Sequence, residues 1–371
     1  MKKILLINFL MLTLFNFIHP ITPELLASKN QGIYLNGYLY SCMALATFIF
    51  SPIWSKYVNK IGIKKLMIIG PIGYSFVQIG LLITNNQYFL MISRFFAGVF
   101  SSMFVIAITI LINNLSEKEE KSKNFALITA TTSLGAIVGQ IISGYIGLYS
   151  IKIPFILLII LMIVLTIYIN TLEIKKITNY ENQKNNENYL NINQNILLNI
   201  IIFIVFTLIA NIYNSNISSY SRLIFHANSF MIGVIVSIGN FILLFVNLFL
   251  IDKIKKYNYQ KYLFLITMIS FVGSFGCFIF KKGIIFIIFM CLLVLSFTTY
   301  KAIIQAHLIN NNSKDANKII GILNSINGIG MITGGFVSGT VFSINANLVF
   351  ILLIFLSILG IIIVLMKKND L

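Results

Sequence analysis

Long apolar runs recur along the whole chain, and they limit its possible folds more than any other feature. A stretch such as ILLNIIIFIVFTLIA, residues 196–210, does not alternate in polarity as the strand of a membrane barrel does. The chain is 58% hydrophobic and 10% charged, whereas soluble domains carry about 25% charged residues. The sequence therefore predicts an all-α membrane protein.

Twelve of these runs have the length of roughly 17–25 residues that a helix needs to cross a bilayer. The predicted spans are 4–26, 34–55, 66–84, 88–112, 124–148, 151–170, 196–219, 229–251, 262–280, 284–308, 318–342 and 347–366. A polar, Asn-rich segment separates the sixth span from the seventh. We therefore predict an N-terminal six-helix bundle at 1–172, a cytoplasmic linker at 173–195 and a C-terminal six-helix bundle at 196–371.

The first span also has features of a cleaved signal peptide, with cleavage near Ala27 as the alternative. Its apolar stretch is interrupted by Asn16, His19 and Pro20, which favours a retained helix.

Positive charge is distributed unevenly about the predicted membrane. If the N-terminus is cytoplasmic, 20 of the 27 Lys and Arg residues lie on the cytoplasmic side. Outside are Lys29, Lys152, Arg222, Lys281 and Lys282, and Arg94 and Lys301 fall within spans. The positive-inside rule then places both termini in the cytoplasm. We expect the chain in the cell (plasma) membrane, a cell inner membrane. The net charge of +17 is accounted for by these short loops, so we predict no nucleic-acid partner.

One pattern of small residues occurs once in each half of the chain. GAIVGQIISG at 135–144 lies in the fifth span, and GMITGGFVSG at 330–339 lies in the eleventh. Gly37 and Ser41 in the second span correspond to Gly233 and Ser237 in the eighth at nearly the same offset. These pairs together indicate a six-helix structural repeat of the kind found in secondary transporters.

The loop after the second span reads SKYVNKIGIKKL, and it resembles a motif of the major facilitator superfamily, G-x-L-x-D-R-x-G-R-K. Gly62 and Lys64 match, Lys60 replaces the Arg, and Asn59 replaces the Asp. In that family the Asp is thought to clamp the two halves in one state, so the resemblance leaves this clamp in doubt here. We expect a positive φ at Gly62, because glycine adopts such a turn most easily.

The fourth and fifth spans resemble those of the drug–proton antiporter branch of that superfamily. LMISRFFAG contains Leu90, Arg94 and Gly98 of the motif L-x-x-x-R-x-x-Q-G. In the fifth span three glycines of G-x-x-x-G-P-x-x-G-G are present, with Gln140 in place of the Pro. The resemblance covers the whole chain and implies two six-helix bundles, proton coupling through Arg94, and export in preference to import.

The small residues of the fifth and eleventh spans predict a close-packed helix seam, which would lie between the halves and slide as they rock. This set is Gly135, Gly139, Gln140 and Gly144 with Gly330, Gly334 and Gly339, together with the loop residues Asn59, Lys60, Gly62 and Lys64.

Polar residues in the first, fourth, seventh and tenth spans predict a central cavity, because these spans line it in the family that the chain resembles. The candidates are Asn16, Ser101, Asn211, Asn214, Thr298 and Lys301. Local hydrogen bonding between helices is the alternative for all of them. Lys301 could also snorkel to the cytoplasmic interface, which we favour for this residue, whereas we favour a cavity role for Arg94.

Glu24 and His19 are the candidate proton carriers beside Arg94. Glu24 could instead be an ordinary solvated acid near the headgroups, and His19 could be simply hydrogen-bonded. The three cysteines have no ligand spacing, so we predict no metal site, no disulfide and no cofactor.

The sequence therefore predicts a secondary transporter and no enzyme. We expect a monomer that exports a small amphipathic compound or drug by alternating access and proton antiport, with a role in multidrug resistance. The alternatives are an importer or facilitator of a small metabolite and, in a different class, a polytopic membrane enzyme or receptor.

Overall fold

A computed structural model describes residues 1–116, 120–172, 194–250, 259–281, 283–311 and 316–367. The described residues form α-helices and connecting turns without a strand, as the apolar periodicity predicts. The helices are α1 (Lys2–Phe15), α2 (Thr22–Ser28), α3 (Leu35–Ile61), α4 (Ile63–Ile83), α5 (Gln87–Leu115), α6 (Lys121–Gly147), α7 (Lys152–Thr171), α8 (Gln194–Ile224), α9 (Ser229–Phe245), α10 (Tyr259–Ile279), α11 (Gly283–Asn311), α12 (Ala316–Ile344) and α13 (Leu348–Lys367). A short π-helical turn, Val246–Leu250, continues α9.

Eleven of the described helices are long and apolar enough to cross a membrane. They correspond to the second to twelfth predicted spans. The first predicted span, 4–26, is not one helix, because α1 and α2 are separated by turns at residues 16–21. The expectation of a single unbroken helix there is wrong, and the prolines at 20 and 23 explain why: each lacks the N–H that would continue the helical hydrogen-bond ladder.

Many outward-facing side chains of these helices are large and apolar, which suits a surface in contact with lipid. Phe76 is 68% exposed, Ile83 is 76% exposed and Ile284 is 74% exposed. In water such a continuous apolar surface would drive aggregation. The protein is therefore a multi-span helical membrane protein.

The chain divides into two compact units. The first comprises Met1–Asn185 with Ala227–Asn240, and the second comprises Asn186–His226 with Phe241–Leu371. The linker predicted at 173–195 lies outside the described residues, except that residues 194–195 begin α8. The bundle boundaries at 172 and 196 stay a prediction.

The first unit is held together by close backbone approach and by aromatic packing. α4 and α5 approach each other at Gly70, where a Cβ atom would lie 2.7 Å from the Phe100 carbonyl oxygen. Phe15 packs edge-on against Tyr74, with ring centroids 4.8 Å apart. Small residues permit such approach, and dispersion between close-packed side chains holds helices together in lipid.

The second unit combines stacked rings with buried hydroxyl pairs. Phe206 on α8 stacks on Tyr300 of α11 with centroids 3.6 Å apart. The Ser270 and Ser357 hydroxyls lie 2.9 Å apart between α10 and α13. Each hydroxyl pair satisfies two polar groups that have no water to bind at this depth.

Candidate functional site

The break in the first span frees backbone carbonyl groups, and a neighbouring side chain satisfies one of them. Pro20 has no N–H to donate to the carbonyl oxygen of Asn16. Near the break the Tyr74 hydroxyl on α4 donates to the Phe15 carbonyl oxygen at 3.3 Å. The Asn16 side-chain amide donates at 2.8 Å to the Leu12 carbonyl oxygen, which also accepts the Asn16 backbone N–H. The broken ladder thus creates a polar region inside the first unit.

Arg94 extends from α5 to this break. Its side chain is only 5% exposed, and its Nη2 atom donates to the Thr22 hydroxyl at 2.9 Å. That hydroxyl donates in turn to the Ile18 carbonyl oxygen at 2.7 Å. The guanidinium also lies close to His19 and Tyr74. The buried cation is therefore joined to the first span through a hydroxyl that begins α2.

Arg94 has no ion pair with a carboxylate among the residues that the structure describes. Glu24, the candidate proton carrier, lies in the first turn of α2 and is partly buried. An acid in the first turn of a helix is stabilised by the helix dipole. The structure therefore places His19 close to Arg94, and Glu24 two residues after the Thr22 that Arg94 contacts.

Gln140 connects this region to α9. Its Nε2 atom donates to Asn16 Oδ1 at 3.4 Å, and its Oε1 atom accepts from Asn240 Nδ2 at 2.9 Å. The side chain is 3% exposed. The residue that replaces the proline of the related motif is thus the middle member of a chain of three amides within the first unit.

The glycines of the fifth span lie against backbone. A Cβ atom at Gly135 would lie 2.6 Å from the Phe9 carbonyl oxygen, and one at Gly139 would overlap that of Thr13. At Gly144 the nearest atom would be the Ser229 carbonyl oxygen of α9, also at 2.6 Å. The ridge therefore packs on two partners, α1 at Gly135 and Gly139, and α9 at Gly144.

The corresponding glycines of α12 pack on α8 in the second unit. A Cβ atom at Gly330 would overlap the Thr207 side chain, and one at Gly334 would lie 2.8 Å from the Cβ atom of Asn211. Gly339 is buried. Both copies of the repeated decapeptide thus form close helix contacts. The copy in α6 does so within the first unit, and the copy in α12 does so within the second unit. The sliding seam between halves stays a prediction.

The predicted cavity residues of the second unit differ in their surroundings. Asn211 is buried and donates to the Thr207 carbonyl oxygen at 2.7 Å, whereas Asn214 is exposed. The Thr298 hydroxyl donates to a carbonyl oxygen of its own helix, that of Val294, at 2.8 Å. In the first unit Ser101 likewise donates to Gly98 at 3.3 Å. For Thr298 and Ser101 these bonds lie within one helix rather than between helices, and the cavity role stays a prediction.

Lys301 is half-buried, and its ammonium donates to Oδ1 of Asn327 on α12. Asn327 could not be singled out from the sequence, because it lies 26 residues away on another helix. A neutral amide therefore binds this ammonium, whereas the sequence favoured snorkelling of Lys301 to the cytoplasmic interface.

The predicted loop after the second span is a single residue, Gly62, because Asn59 and Lys60 belong to α3 and Lys64 belongs to α4. Gly62 has a φ of 93°, as expected for a glycine between two helices that follow each other directly. The Lys64 ammonium donates to the Asn170 carbonyl oxygen at 2.7 Å, near the end of α7. Lys60 is exposed beside the Tyr57 ring, and the Asn59 side chain lies outside the described residues.

The sequence alone did not identify Gln78, which is 0% exposed on α4. Neither its Nε2 nor its Oε1 atom has a hydrogen-bond partner. Its spacing of four from Tyr74 is the only signal that could have indicated it, since residues i and i+4 share a helix face.

The fold and the buried charge together define a polytopic helical transport protein. Comparison with known families identifies it further: residues 4–313 match the Major Facilitator Superfamily, and the chain belongs to that superfamily. It is therefore a membrane transporter and not an enzyme.

Two relatives carry names that refer to drug resistance. The chain is 22% identical to multidrug resistance protein 2 of Bacillus subtilis over 365 residues, which cover 95% of this chain and 91% of that protein. It is 32% identical to quinolone resistance protein NorA of Staphylococcus aureus over 119 residues, about a third of each chain.

Solved transporter structures share the fold at low identity. A bacterial homologue of the human lysosomal transporter Spinster, in an inward-facing and occupied conformation, superposes with a TM-score of 0.77 at 7% identity over 99% of this chain and 96% of that chain. The nucleoside transporter NupG superposes with a TM-score of 0.76 at 14% identity over 99% of this chain and 98% of that one. These likenesses show the fold alone.

Proposed function

We propose that the protein exports a small amphipathic organic compound from the cell by alternating access, driven by proton antiport. The observation that carries the proposal is the burial of Arg94 against Thr22 at the break in the first span. Charged side chains within the membrane are rare, and by default they indicate an ion or substrate pathway. The similarity to multidrug resistance protein 2 along nearly the whole chain supports export of a drug-like compound.

In this mechanism Arg94 is the charged hub, and a proton on Glu24 or His19 alters its surroundings. Protonation of either group would change its electrostatic interaction with the nearby guanidinium. Such interaction energies are large at low dielectric. The break between α1 and α2 is the element that can respond, since turns 16–21 lack a continuous helical ladder. Coupling then means that proton binding and substrate binding both shift the same conformational equilibrium.

The test uses everted membrane vesicles across which a pH gradient is imposed. The protein should accumulate a fluorescent drug inside these vesicles only while the gradient lasts, and a protonophore should abolish accumulation. Arg94→Ala should reduce gradient-driven uptake at least tenfold. Lys281→Ala, which changes an exposed cation, is the control and should leave uptake unchanged.

Unchanged gradient-driven uptake by Arg94→Ala would remove the central role of this residue. Uptake without a gradient would favour a facilitator. Uptake of the compound into intact cells, together with a loss of drug resistance, would favour an importer. The shortage of carboxylates in the membrane spans is the observation that supports this alternative.

We further propose that both termini are cytoplasmic in the plasma membrane and that the linker 173–195 lies on the same side. The excess of Lys and Arg in the corresponding segments supports this orientation. A fluorescent reporter fused to either terminus should mature, whereas a periplasmic alkaline phosphatase fused there should stay inactive. The opposite result at either end would contradict the orientation.

A further inference from the structure

The positive charge of Arg94 is incompletely compensated inside the first unit. A guanidinium carries five N–H donors, and its described hydrogen bond is to a neutral hydroxyl, that of Thr22. Tyr74 nearby is also neutral, and no carboxylate in the described residues forms an ion pair with Arg94. A buried cation of this kind strongly favours an anionic partner.

Gln78 adds an unused amide at the same level of the unit. Two contacts bracket its position on α4: Tyr74 meets Phe15, and Leu82 accepts a hydrogen bond of 2.8 Å from Lys29. The chain from residue 15 to residue 29 therefore runs alongside this part of α4. Gln78, midway between the two contacts, lies at the level of Thr22, which follows the break.

An unpartnered buried amide is unusual and destabilising. Native structures satisfy nearly all buried polar groups, because a missing partner costs the full desolvation of the group. The Gln78 side chain is fully buried and has no partner for either polar atom. A ligand that accepts a hydrogen bond would satisfy the Nε2 donor and so remove that part of the penalty.

We propose that His19, Thr22, Tyr74, Gln78 and Arg94, termed here the Arg94 cluster, bind a carboxylate group of the transported compound. The two oxygens of a carboxylate match the planar N–H fork of a guanidinium. Their remaining lone pairs can accept a hydrogen bond from the Gln78 side-chain amide. A cationic compound is disfavoured at this place, because Arg94 repels it. The proposal rests on the proposed transport function and narrows the substrates to small organic anions and zwitterions.

The experiment measures anion binding directly on the purified full-length protein, independently of transport. Trp54 is the only tryptophan of the chain, and its indole donates to the Val99 carbonyl oxygen within the first unit. Its fluorescence therefore reports thermal unfolding of that unit. The probes are benzoate, the neutral benzamide, the cationic benzylamine and chloride at equal concentrations. A ligand that binds only the folded state raises the melting temperature with its concentration.

We expect benzoate to raise the melting temperature saturably and the other three probes to leave it unchanged. Gln78→Leu should fold, because it removes an amide that makes no hydrogen bond, and should weaken benzoate binding at least tenfold. Arg94→Lys keeps the charge but loses the fork, and should also weaken it. Gln31→Leu, the same substitution at a partly exposed site of the first unit that donates to the Asn85 carbonyl oxygen, should bind benzoate as the wild type does.

Three results would overturn the proposal. No shift with benzoate would show that the Arg94 cluster does not bind carboxylates. An equal shift with chloride would indicate a site for inorganic ions, and full binding by Gln78→Leu would place benzoate elsewhere. Gradient-driven drug uptake without benzoate binding would refute the carboxylate site but support the proposed function. Benzoate binding without any uptake would support the site but contradict the proposed function.

Discussion

The close approach of α6 to α1 at Gly135 yields a prediction whose magnitude follows from the structure. In Gly135→Ala the new Cβ atom would lie 2.6 Å from the Phe9 carbonyl oxygen and 3.2 Å from the Leu12 Cβ atom. An ordinary contact is about 3.4 Å or more, so the helices must separate by roughly 0.8 Å. Overpacking of this kind costs about 1–3 kcal/mol, whereas alanine gains about 1 kcal/mol in helix propensity.

A matched substitution removes the propensity term. Gly239→Ala lies in the same unit, on α9, and its Cβ atom would meet nothing within 4 Å. The stability difference between the two variants therefore contains only the overpacking, about 1–3 kcal/mol. For a unit of this size that corresponds to about 2–12 °C in melting temperature, measured by Trp54 fluorescence in detergent.

Equal melting temperatures for Gly135→Ala and Gly239→Ala would refute the close contact between α6 and α1. A lower melting temperature for Gly239→Ala than for Gly135→Ala would show that the packing of these two glycines has been assigned the wrong way round.

Three further predictions concern hydrogen bonds, and thermal unfolding measures each. A double-mutant cycle of Gln140→Leu and Asn240→Leu should give a coupling energy of about 0.6–1.7 kcal/mol, the range of interhelical hydrogen bonds in membranes; zero coupling would contradict the amide chain. Lys29→Ala should lower stability by about 1 kcal/mol, because the ammonium donates to two carbonyl oxygens at the end of α4. Ser270→Ala should cost only about 0.6 kcal/mol, since its partner Ser357 also donates within its own helix, and a loss above about 2 kcal/mol would refute this.

The sequence predicted the helices well where a long apolar run decides the structure. The second span, predicted at 34–55, is the greater part of α3, which continues to Ile61 because Gly62 ends it with a positive φ. The first span was predicted as one helix, since its composition is mainly apolar. Its break depends on Pro20 and on the support that Tyr74 gives to the freed Phe15 carbonyl group, and such a tertiary contact leaves no mark in local periodicity.

For the candidate site, the sequence identified the unusual residues but not their partners. Arg94 stands out because a charge within a span is rare. Its partner Thr22 is 72 positions earlier in the chain, and hydroxyls are too common in membrane helices to indicate such a pair. The same holds for Asn327 beside Lys301. Gln78 was missed because its distinguishing property is the lack of a partner, which only coordinates reveal.

The broken first span has a consequence for the insertion of the protein into the membrane during synthesis. α1 has 14 residues, about 21 Å of helix, which is too short to cross the hydrocarbon core on its own. The groups that support the break, Tyr74 and Arg94, are synthesised some 50 to 80 residues after it. The first segment therefore cannot reach its final structure until α4 and α5 have entered the bilayer, so the N-terminal segment that is made first is completed late.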